Sequence, residues 1–265
     1  MVVEIDNPNH EILRLFGSMT EAQLRSLHEA EHGFFIAESP KVIRVAIDHG
    51  FMPFAMLCEP RHIVGDAADI IARCPDMTIY TGSRDLLASI TGYTLTRGVL
   101  CAIPRPTLPS VADISRNARV VAVLQSITDT TNIGAIFRSA SAMGVDAVIL
   151  SADACDPLNR RAVRVSMGTV FTIPWTLSPD PMADLHNLGF TTAALALRHD
   201  VMTLDDPRLQ EIDKIALFFG TEGDGLPLHI IQAADLVVKI PMHHGVDSLN
   251  VAAAAAVTFW QLRKI

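Results

Sequence analysis

The stretch that decides the fold of this chain is residues 218–251, which read FFGTEGDGLPLHIIQAADLVVKIPMHHGVDSLNV. Its first turn, Gly220–Pro227, follows an apolar run, Ile215–Phe219, that is typical of a buried strand. Glycines at three of the first six turn positions allow positive φ angles and a close approach of a ligand to the backbone. Pro227 suits the first position of a helix. The pattern predicts a strand, a tight turn and a helix start, where α/β proteins commonly bind nucleotide-like ligands.

A second turn of this kind follows the next predicted strand, Asp235–Ile240. It spans Pro241–Asn250 and leads into an alanine-rich helix that extends to Leu262. Either Asp247 or Ser248 can cap the start of that helix. Because neighbouring parallel strands end at the same edge of a sheet, we expect the two turns to form one crevice.

Composition narrows the classes of protein to which the chain can belong. It has 265 residues with mean hydropathy +0.31, which is enough for one large domain or two modest ones. Since no apolar run is long enough to span a membrane and the N-terminus lacks a signal-peptide pattern, we expect a cytoplasmic protein. The net charge of −8 argues against a general nucleic-acid coat but not against a local basic site.

The cysteines and histidines give no metal-binding signal. The 4 cysteines have no CxxC spacing, and His243 and His244 lie side by side in a loop. Metal-binding histidines on a helix usually stand four residues apart. We therefore expect reduced, mostly buried thiols and no metal site.

A proline-rich segment divides the chain. Pro104–Ser110 reads PRPTLPS, which resists both helix and sheet. The pattern predicts a small α/β unit at residues 1–103, a linker at 104–118 and a larger domain at 119–265. In the larger domain strands alternate with helices, which predicts a mostly parallel sheet with helices on both faces.

The pattern in the larger domain also predicts one helix and one further strand. A helix over Ile133–Met143 follows the first strand and places Arg138 less than two turns beyond Asn132. A further strand is predicted at Phe171–Pro174.

Three segments of the larger domain carry a family resemblance. Residues 132–138 (NIGAIFR), 220–226 (GTEGDGL) and 240–251 (IPMHHGVDSLNV) resemble, in order and separation, the three motifs of the SpoU (TrmH-like) branch of the SPOUT RNA methyltransferases. The match runs from about Val120 to the C-terminus. More loosely, Phe34–Asp48 resembles the small substrate-binding domain that precedes the catalytic domain in members acting on ribosomal RNA.

The resemblance implies a fold and an activity. Members of this family transfer a methyl group from S-adenosylmethionine to a ribose 2′-hydroxyl of RNA. Their parallel sheet has a C-terminal part tied in a trefoil knot, and they act as homodimers with the active site at the subunit interface. The additional N-terminal domain favours ribosomal RNA as the substrate, with transfer RNA as the alternative.

Two other classes stay open at this stage. One is a non-catalytic RNA-binding protein that keeps the same fold, although the motif residues of the active site are intact. The other is an ordinary doubly wound nucleotide-binding enzyme. It ranks last because the turn after Leu124 has no GxGxxG fingerprint.

The resemblance also implies a methyl-donor site in the two C-terminal turns. Glycines there let the cofactor lie against the main chain. Without the motif order, the first turn would be read only as a glycine-rich connection between a strand and a helix. The expected cofactor contacts are Leu197, Gly220, Thr221, Glu222, Gly223, Ile240, Met242, Ser248 and Leu249.

The acceptor side is assigned on the same grounds. Arg138 matches the arginine proposed in the family to activate the hydroxyl, but an ordinary arginine has too high a pKa to act as a base. Physical chemistry therefore favours a role for Arg138 in binding phosphate and stabilising negative charge. Asn132 and Ser248 can also be helix caps, and the arginines after Asn159 can be an exposed helix face. The expected catalytic residues are Arg138, Asn132, Glu222, Ser248 and Asn250, and the expected RNA contacts are Arg138, Arg160, Arg161 and Arg164.

Overall fold

The computed structural model describes residues 1–26, 33–96, 98–198, 201–221, 223–244 and 248–263. In chain order the strands are β1 Val2–Glu4, β2 Phe34–Glu38, β3 Ala55–Cys58, β4 Thr78–Thr81, β5 Val99–Pro104, β6 Val120–Leu124, β7 Ala147–Ser151, β8 Trp175–Ser178, β9 Thr191–Leu195, β10 Met202–Thr203, β11 Ile215–Phe219 and β12 Leu236–Lys239. The helices are α1 Glu21–Ser26, α2 Pro40–Asp48, α3 Pro60–Ile63, α4 Ala68–Arg73, α5 Arg84–Thr91, α6 Val111–Ser115, α7 Thr130–Met143, α8 Arg160–Val165, α9 Pro181–Asn187, α10 Leu228–Ala233 and α11 Val251–Leu262. Short 3₁₀ helices occupy Glu11–Phe16, Thr169–Phe171 and Pro207–Glu211. Within these described ranges, no helix has the length and apolar character needed to cross a membrane.

The chain forms two compact units. The first consists of Met1–Thr107 and Leu158–Thr172, and the second of Leu108–Pro157 and Ile173–Ile265. Residues 158–172, which the sequence pattern assigned to the larger domain, therefore pack with the N-terminal part of the chain. The stretch interpreted as a linker also contains a helix, α6, whose start is capped by the hydroxyl of Ser110.

The first unit is built on a five-stranded mixed sheet with the order β1-β4-β3-β5-β2. Strand β5 runs antiparallel to its neighbours β2 and β3, and the other pairs are parallel. Strands β2 and β3 are buried at every position. Both therefore lie in the interior of the unit.

Aromatic packing explains why residues 158–172 belong to the first unit. The ring of Phe171 lies 4.9 Å from that of Phe51 and 5.5 Å from that of Phe35, measured between centroids. Gly168 has φ +86°, and a Cβ there would lie 3.0 Å from the Cβ of Val45. The contacts of the Phe171 ring with the rings of Phe51 and Phe35 add to the stabilisation gained from burial. The strand predicted at Phe171–Pro174 is therefore wrong, because Phe171 ends a 3₁₀ helix in this core and β8 begins only afterwards.

The second unit holds a seven-stranded sheet with the order β10-β12-β9-β11-β6-β7-β8, in which every neighbouring pair is parallel. Strands β6, β7 and β11 are buried at every position, as expected of a parallel sheet covered on both faces. Leu185 of α9 and Ile230 of α10 pack on the face that contains Phe218. On the opposite face, Phe219 meets Phe259 of α11 edge to face, with centroids 5.5 Å apart. The predicted α/β fold with a mostly parallel sheet is confirmed.

Candidate active site

A cavity of about 510 Å³ lies in the second unit, where β9, β11 and β12 end. Its volume is within the usual range of small-molecule sites. Three loops enclose it, namely those that follow β9, β11 and β12, together with the start of α11. All the expected cofactor contacts that the structure describes line it, namely Leu197, Gly220, Thr221, Gly223, Ile240, Met242, Ser248 and Leu249. Glu222 lies outside the described residues.

The turn after β11 depends on one glycine in particular. The amide of Thr221 donates to the carbonyl of Gly225 (3.2 Å), and the amide of Gly225 donates back to the carbonyl of Thr221 (3.1 Å). A Cβ added to Gly220 would lie 2.3 Å from the carbonyl carbon of Gly225, a distance that no side chain tolerates. A Cβ at Gly223 would meet no atom of the described residues within 4 Å. The closed turn therefore requires glycine at position 220 but not at 223.

The loop after β12 ends at Asn250, which caps α11. Its side-chain oxygen accepts from the amides of Ala252 (3.0 Å) and Ala253 (3.3 Å). The expected caps were Asp247 or Ser248, of which Asp247 lies outside the described residues. Asn250 takes this role because the loop continues to the last residue before the helix, where a side-chain amide can reach two free N–H groups.

Asn250 also connects the two helices that carry the predicted acceptor residues. Its side-chain nitrogen donates to the side-chain oxygen of Asn132 at 3.1 Å. Asn132 is buried in the first turn of α7. Two motifs that lie far apart in the sequence are thus joined by a direct hydrogen bond between predicted site residues.

Helix α7 begins at Thr130, three residues before its predicted start. Asp129 is its cap, with a carboxylate oxygen that accepts from the amide of Thr131 at 2.6 Å. Asn132 is therefore a first-turn residue and not a cap. Further along the helix Phe137 is buried, whereas Arg138 is exposed. In the described part of the chain Arg138 forms no hydrogen bond or ion pair, so its guanidinium is available to a ligand.

Three charged residues of the cavity were missed by the sequence analysis, namely Arg198, Asp224 and Lys239. Each stands next in sequence to an expected contact. The available signal was their position just beyond or at the end of a parallel strand, where ligands bind in this class of sheet.

A comparison with known families decides the assignment of the chain. Residues 119–260, more than half of the chain, match the model of the SpoU rRNA Methylase family. The chain belongs to the SpoU rRNA methylase family. The resemblance of its three motifs to that family is thereby confirmed.

Relatives of this SpoU-family chain extend the similarity to nearly its full length. An uncharacterized tRNA/rRNA methyltransferase of Mycobacterium tuberculosis is 34% identical over 264 residues, covering 98% of this chain and 91% of that protein. The 23S rRNA (guanosine(2553)-2'-O)-methyltransferase RlmP of Bacillus subtilis is 27% identical over 220 residues, covering 78% of this chain and 88% of that protein. An AdoMet-bound rRNA methyltransferase from Sinorhizobium meliloti shares the fold, with a TM-score of 0.81 at 24% identity, covering 98% of this chain and 97% of that one.

The arginines expected to contact RNA in this SpoU-family chain have different surroundings. Glu38 is 5% exposed, and its Oε2 lies 3.5 Å from Nε of Arg160 and 3.9 Å from Nη1 of Arg164. The guanidinium of Arg160 also lies over the ring of Tyr93, 5.0 Å from its centroid. Burial lowers the pKa of Arg160, and the negative charge of Glu38 opposes this effect. Arg160 is thus part of a buried ion pair, whereas Arg161 is exposed.

This difference predicts unequal effects on stability. Arg160→Ala leaves the Glu38 carboxylate buried with only Arg164 nearby, and we expect the free energy of unfolding to fall by roughly 2 kcal/mol. Arg161→Ala, on the exposed face of the same helix, should change it by less than about 0.5 kcal/mol. Urea unfolding followed by circular dichroism measures both. Equal effects of the two substitutions would show that the Glu38–Arg160 pair is not a stabilising contact.

Proposed function

We propose that this chain is an S-adenosylmethionine-dependent methyltransferase that methylates a ribose 2′-hydroxyl of ribosomal RNA. The observation that carries the proposal is the cavity, because two of the three SpoU motifs build its walls. The B. subtilis relative is named as a 2′-O-methyltransferase of 23S rRNA, and the S. meliloti protein was solved with AdoMet. On the same grounds we propose a cytoplasmic location, where ribosomes are present.

The residues of the cavity fit an adenosine-based donor. Leu197, Ile240 and Leu249 offer apolar walls for a flat base. Gly220 keeps the main chain free of a side chain where the turn closes, so backbone groups can face a nucleoside directly. When bound, S-adenosylmethionine supplies an electrophilic methyl group on a positively charged sulfur. The protein contributes the orientation of that methyl group and the exclusion of water around it.

The acceptor side of the proposal rests on α7 and the start of α11. Arg138 binds a phosphate next to the target ribose and stabilises the negative charge that develops on the 2′ oxygen. The bond between Asn132 and Asn250 holds the two helices in register beside the reacting groups. Ser248, on the cavity wall, orients the hydroxyl. We assign Glu222 the role of a positioning carboxylate on the basis of the family motif alone.

RNA binding in the first unit is proposed for the arginines of α8. Arg161 is exposed. Arg164 is also exposed and lies 3.9 Å from the buried Glu38 carboxylate, whereas Arg160 is less exposed and lies closer to it, at 3.5 Å. Because a phosphate needs an accessible guanidinium, Arg161 and Arg164 are better placed than Arg160 to bind the RNA backbone. Arg160 then acts by holding α8 on the sheet.

The trefoil knot and the homodimer are proposed as properties of the family. The loops at 220–227 and 240–250 line one cavity, and α11 packs on α7, which is compatible with a chain that passes back through its own loop. Helix α11 also carries exposed apolar residues, with Val257 42% and Trp260 54% exposed. Apolar surface of this kind is typical of a subunit interface.

The dimer can be tested at α11. Trp260→Glu places a charge in the proposed interface, and we expect the dimer to dissociate at least about 30-fold more readily, since tryptophan is a common interface hot spot. Sedimentation velocity measures the change from dimer to monomer. Val64→Glu is the control, because Val64 is 86% exposed on the first unit and should leave the mass unchanged. A monomeric wild type would contradict the proposal directly.

The experiment that tests the function uses tritiated S-adenosylmethionine. Wild-type protein is incubated with total RNA from a host that lacks it, and the labelled RNA is separated by size and digested to nucleosides. Label in 2′-O-methylated nucleosides of ribosomal RNA is expected. Label in the transfer RNA band would show that the substrate is transfer RNA and that the proposed reaction is correct. Absence of both label and S-adenosylmethionine binding would refute the enzyme and favour a non-catalytic RNA-binding protein.

A further inference from the structure

Three ionisable side chains line the donor cavity. Arg198 follows β9, Asp224 stands in the turn after β11, and Lys239 ends β12. Across the described ranges of the chain, none of the three side chains forms a hydrogen bond or an ion pair. Elsewhere in the same unit an exposed arginine behaves differently, since Arg208 makes three hydrogen bonds to the side chain of Asp206.

The sheet order brings these three residues to neighbouring loops. Strand β9 lies between β12 and β11, and Val238 pairs with Leu195. The amide of Ala196 donates to the carbonyl of Val238 at 3.0 Å, so the end of β12 and the loop that carries Arg198 run side by side. The positive groups of Lys239, at the end of β12, and of Arg198, in the loop after β9, are therefore on adjacent segments. The negative group of Asp224 belongs to the turn after β11, on the other side of β9.

The charges of these three side chains are not needed to bind an adenosine. A nucleoside is neutral, and the apolar and main-chain lining of the cavity already suits it. The methionine part of S-adenosylmethionine carries an α-carboxylate and an α-ammonium group. Ionised groups that leave water are favourable only when opposite charges meet them, and the three side chains supply both signs.

We infer that Arg198, with Lys239 beside it, binds the α-carboxylate of the donor and that Asp224 binds its α-ammonium group. The planar guanidinium of Arg198 can hold a carboxylate through two parallel hydrogen bonds, whereas Lys239 adds a point charge. The cavity then selects adenosine thioethers that carry an amino-acid end over those that lack it. This inference rests on the proposed function, because it assigns a subsite within the same cavity.

The test compares two ligands that share the adenosine thioether. S-Adenosylhomocysteine carries the amino-acid end, and 5′-methylthioadenosine lacks it. Isothermal titration calorimetry gives Kd for each ligand with the wild type, Arg198→Gln and Asp224→Asn. We expect each substitution to raise the Kd of S-adenosylhomocysteine about tenfold, which is the effect of one charge-assisted hydrogen bond at an exposed position. The Kd of 5′-methylthioadenosine should stay within about twofold of the wild-type value.

Matched controls remove the same charges elsewhere in the unit. Arg208→Gln deletes a positive charge from an exposed ion pair, and Asp213→Asn deletes a negative charge just before β11, at the opposite end of that strand. Neither residue lines the cavity, so both variants should bind the two ligands as the wild type does.

Three outcomes would overturn the inference. If Arg198→Gln and Asp224→Asn weaken both ligands equally or neither, the amino-acid end is not bound by these residues, and the proposed function still stands. If Arg198→Gln leaves S-adenosylhomocysteine unchanged but weakens RNA binding, Arg198 is an RNA contact. If the wild type binds neither ligand, the proposed function fails together with the subsite.

Discussion

Arg138→Ala is expected to lower kcat for RNA methylation by about 100-fold or more while leaving the Kd for S-adenosylmethionine within about twofold. The guanidinium is exposed, has no partner in the described chain and does not line the donor cavity. Its removal therefore takes away charge stabilisation at the acceptor without disturbing the donor. Steady-state methylation kinetics and calorimetry with S-adenosylmethionine in the absence of RNA separate the two effects.

Two further variants make the Arg138 result specific. Arg138→Lys keeps the charge but loses the planar fork, and we expect an intermediate loss of about tenfold. Arg116→Ala removes another arginine of the same unit, with a side chain 73% exposed in a surface ion pair, and should keep full activity. If Arg138→Ala kept more than about a third of the wild-type rate, Arg138 would not be the acceptor arginine.

Gly220→Ala is expected to weaken S-adenosylmethionine binding by about 100-fold and to destabilise the second unit by about 3 kcal/mol. The added methyl group would lie 2.3 Å from the carbonyl carbon and 2.4 Å from the carbonyl oxygen of Gly225, both main-chain atoms that cannot rotate away. The turn must therefore open, and the two hydrogen bonds between Thr221 and Gly225 are lost with it.

Gly223→Ala is the matched control in the same turn. A methyl group there meets no atom within 4 Å in the part of the chain that the structure describes, and Gly223 does not have a positive φ. We expect the stability to be unchanged and the Kd to stay within about fivefold of wild type. Calorimetry and thermal unfolding measure both variants. Similar behaviour of the two variants would mean that the closed turn does not shape the donor site.

The strands of the second unit were largely predictable. The apolar run at Ile215–Phe219 predicts the bounds of β11, because a strand buried on both faces shows no alternation and stops where polar residues begin. Phe171 misled the same reasoning, since its ring packs in the core of the first unit. Local hydrophobicity indicates burial but not which core a segment joins.

Part of the cavity lining was predictable, because the glycines after β11 indicate a tight turn at Gly220. The cap of α11 was not predicted, since Asn250 takes the role expected of Asp247 or Ser248. The surroundings of Arg160 were not predictable either, because an arginine in an ion pair with a buried carboxylate and an arginine that binds phosphate have the same local sequence. Its partner, Glu38, lies far away in the chain, and only the fold brings the two within 3.5 Å. The orientation of Arg198 likewise depends on a loop without a repeating pattern.

The return of residues 158–172 to the first unit sets an order of events during synthesis. The N-terminal sheet is translated early, yet its core lacks Phe171 and the partner of Glu38 until β6 and β7 of the second unit have been made. A nascent chain that ends at the proline-rich segment thus exposes an unfilled aromatic core and an unpaired buried carboxylate. The first unit is therefore complete only after part of the second has been synthesised, and the proline segment is not a site at which the chain divides into two self-sufficient pieces.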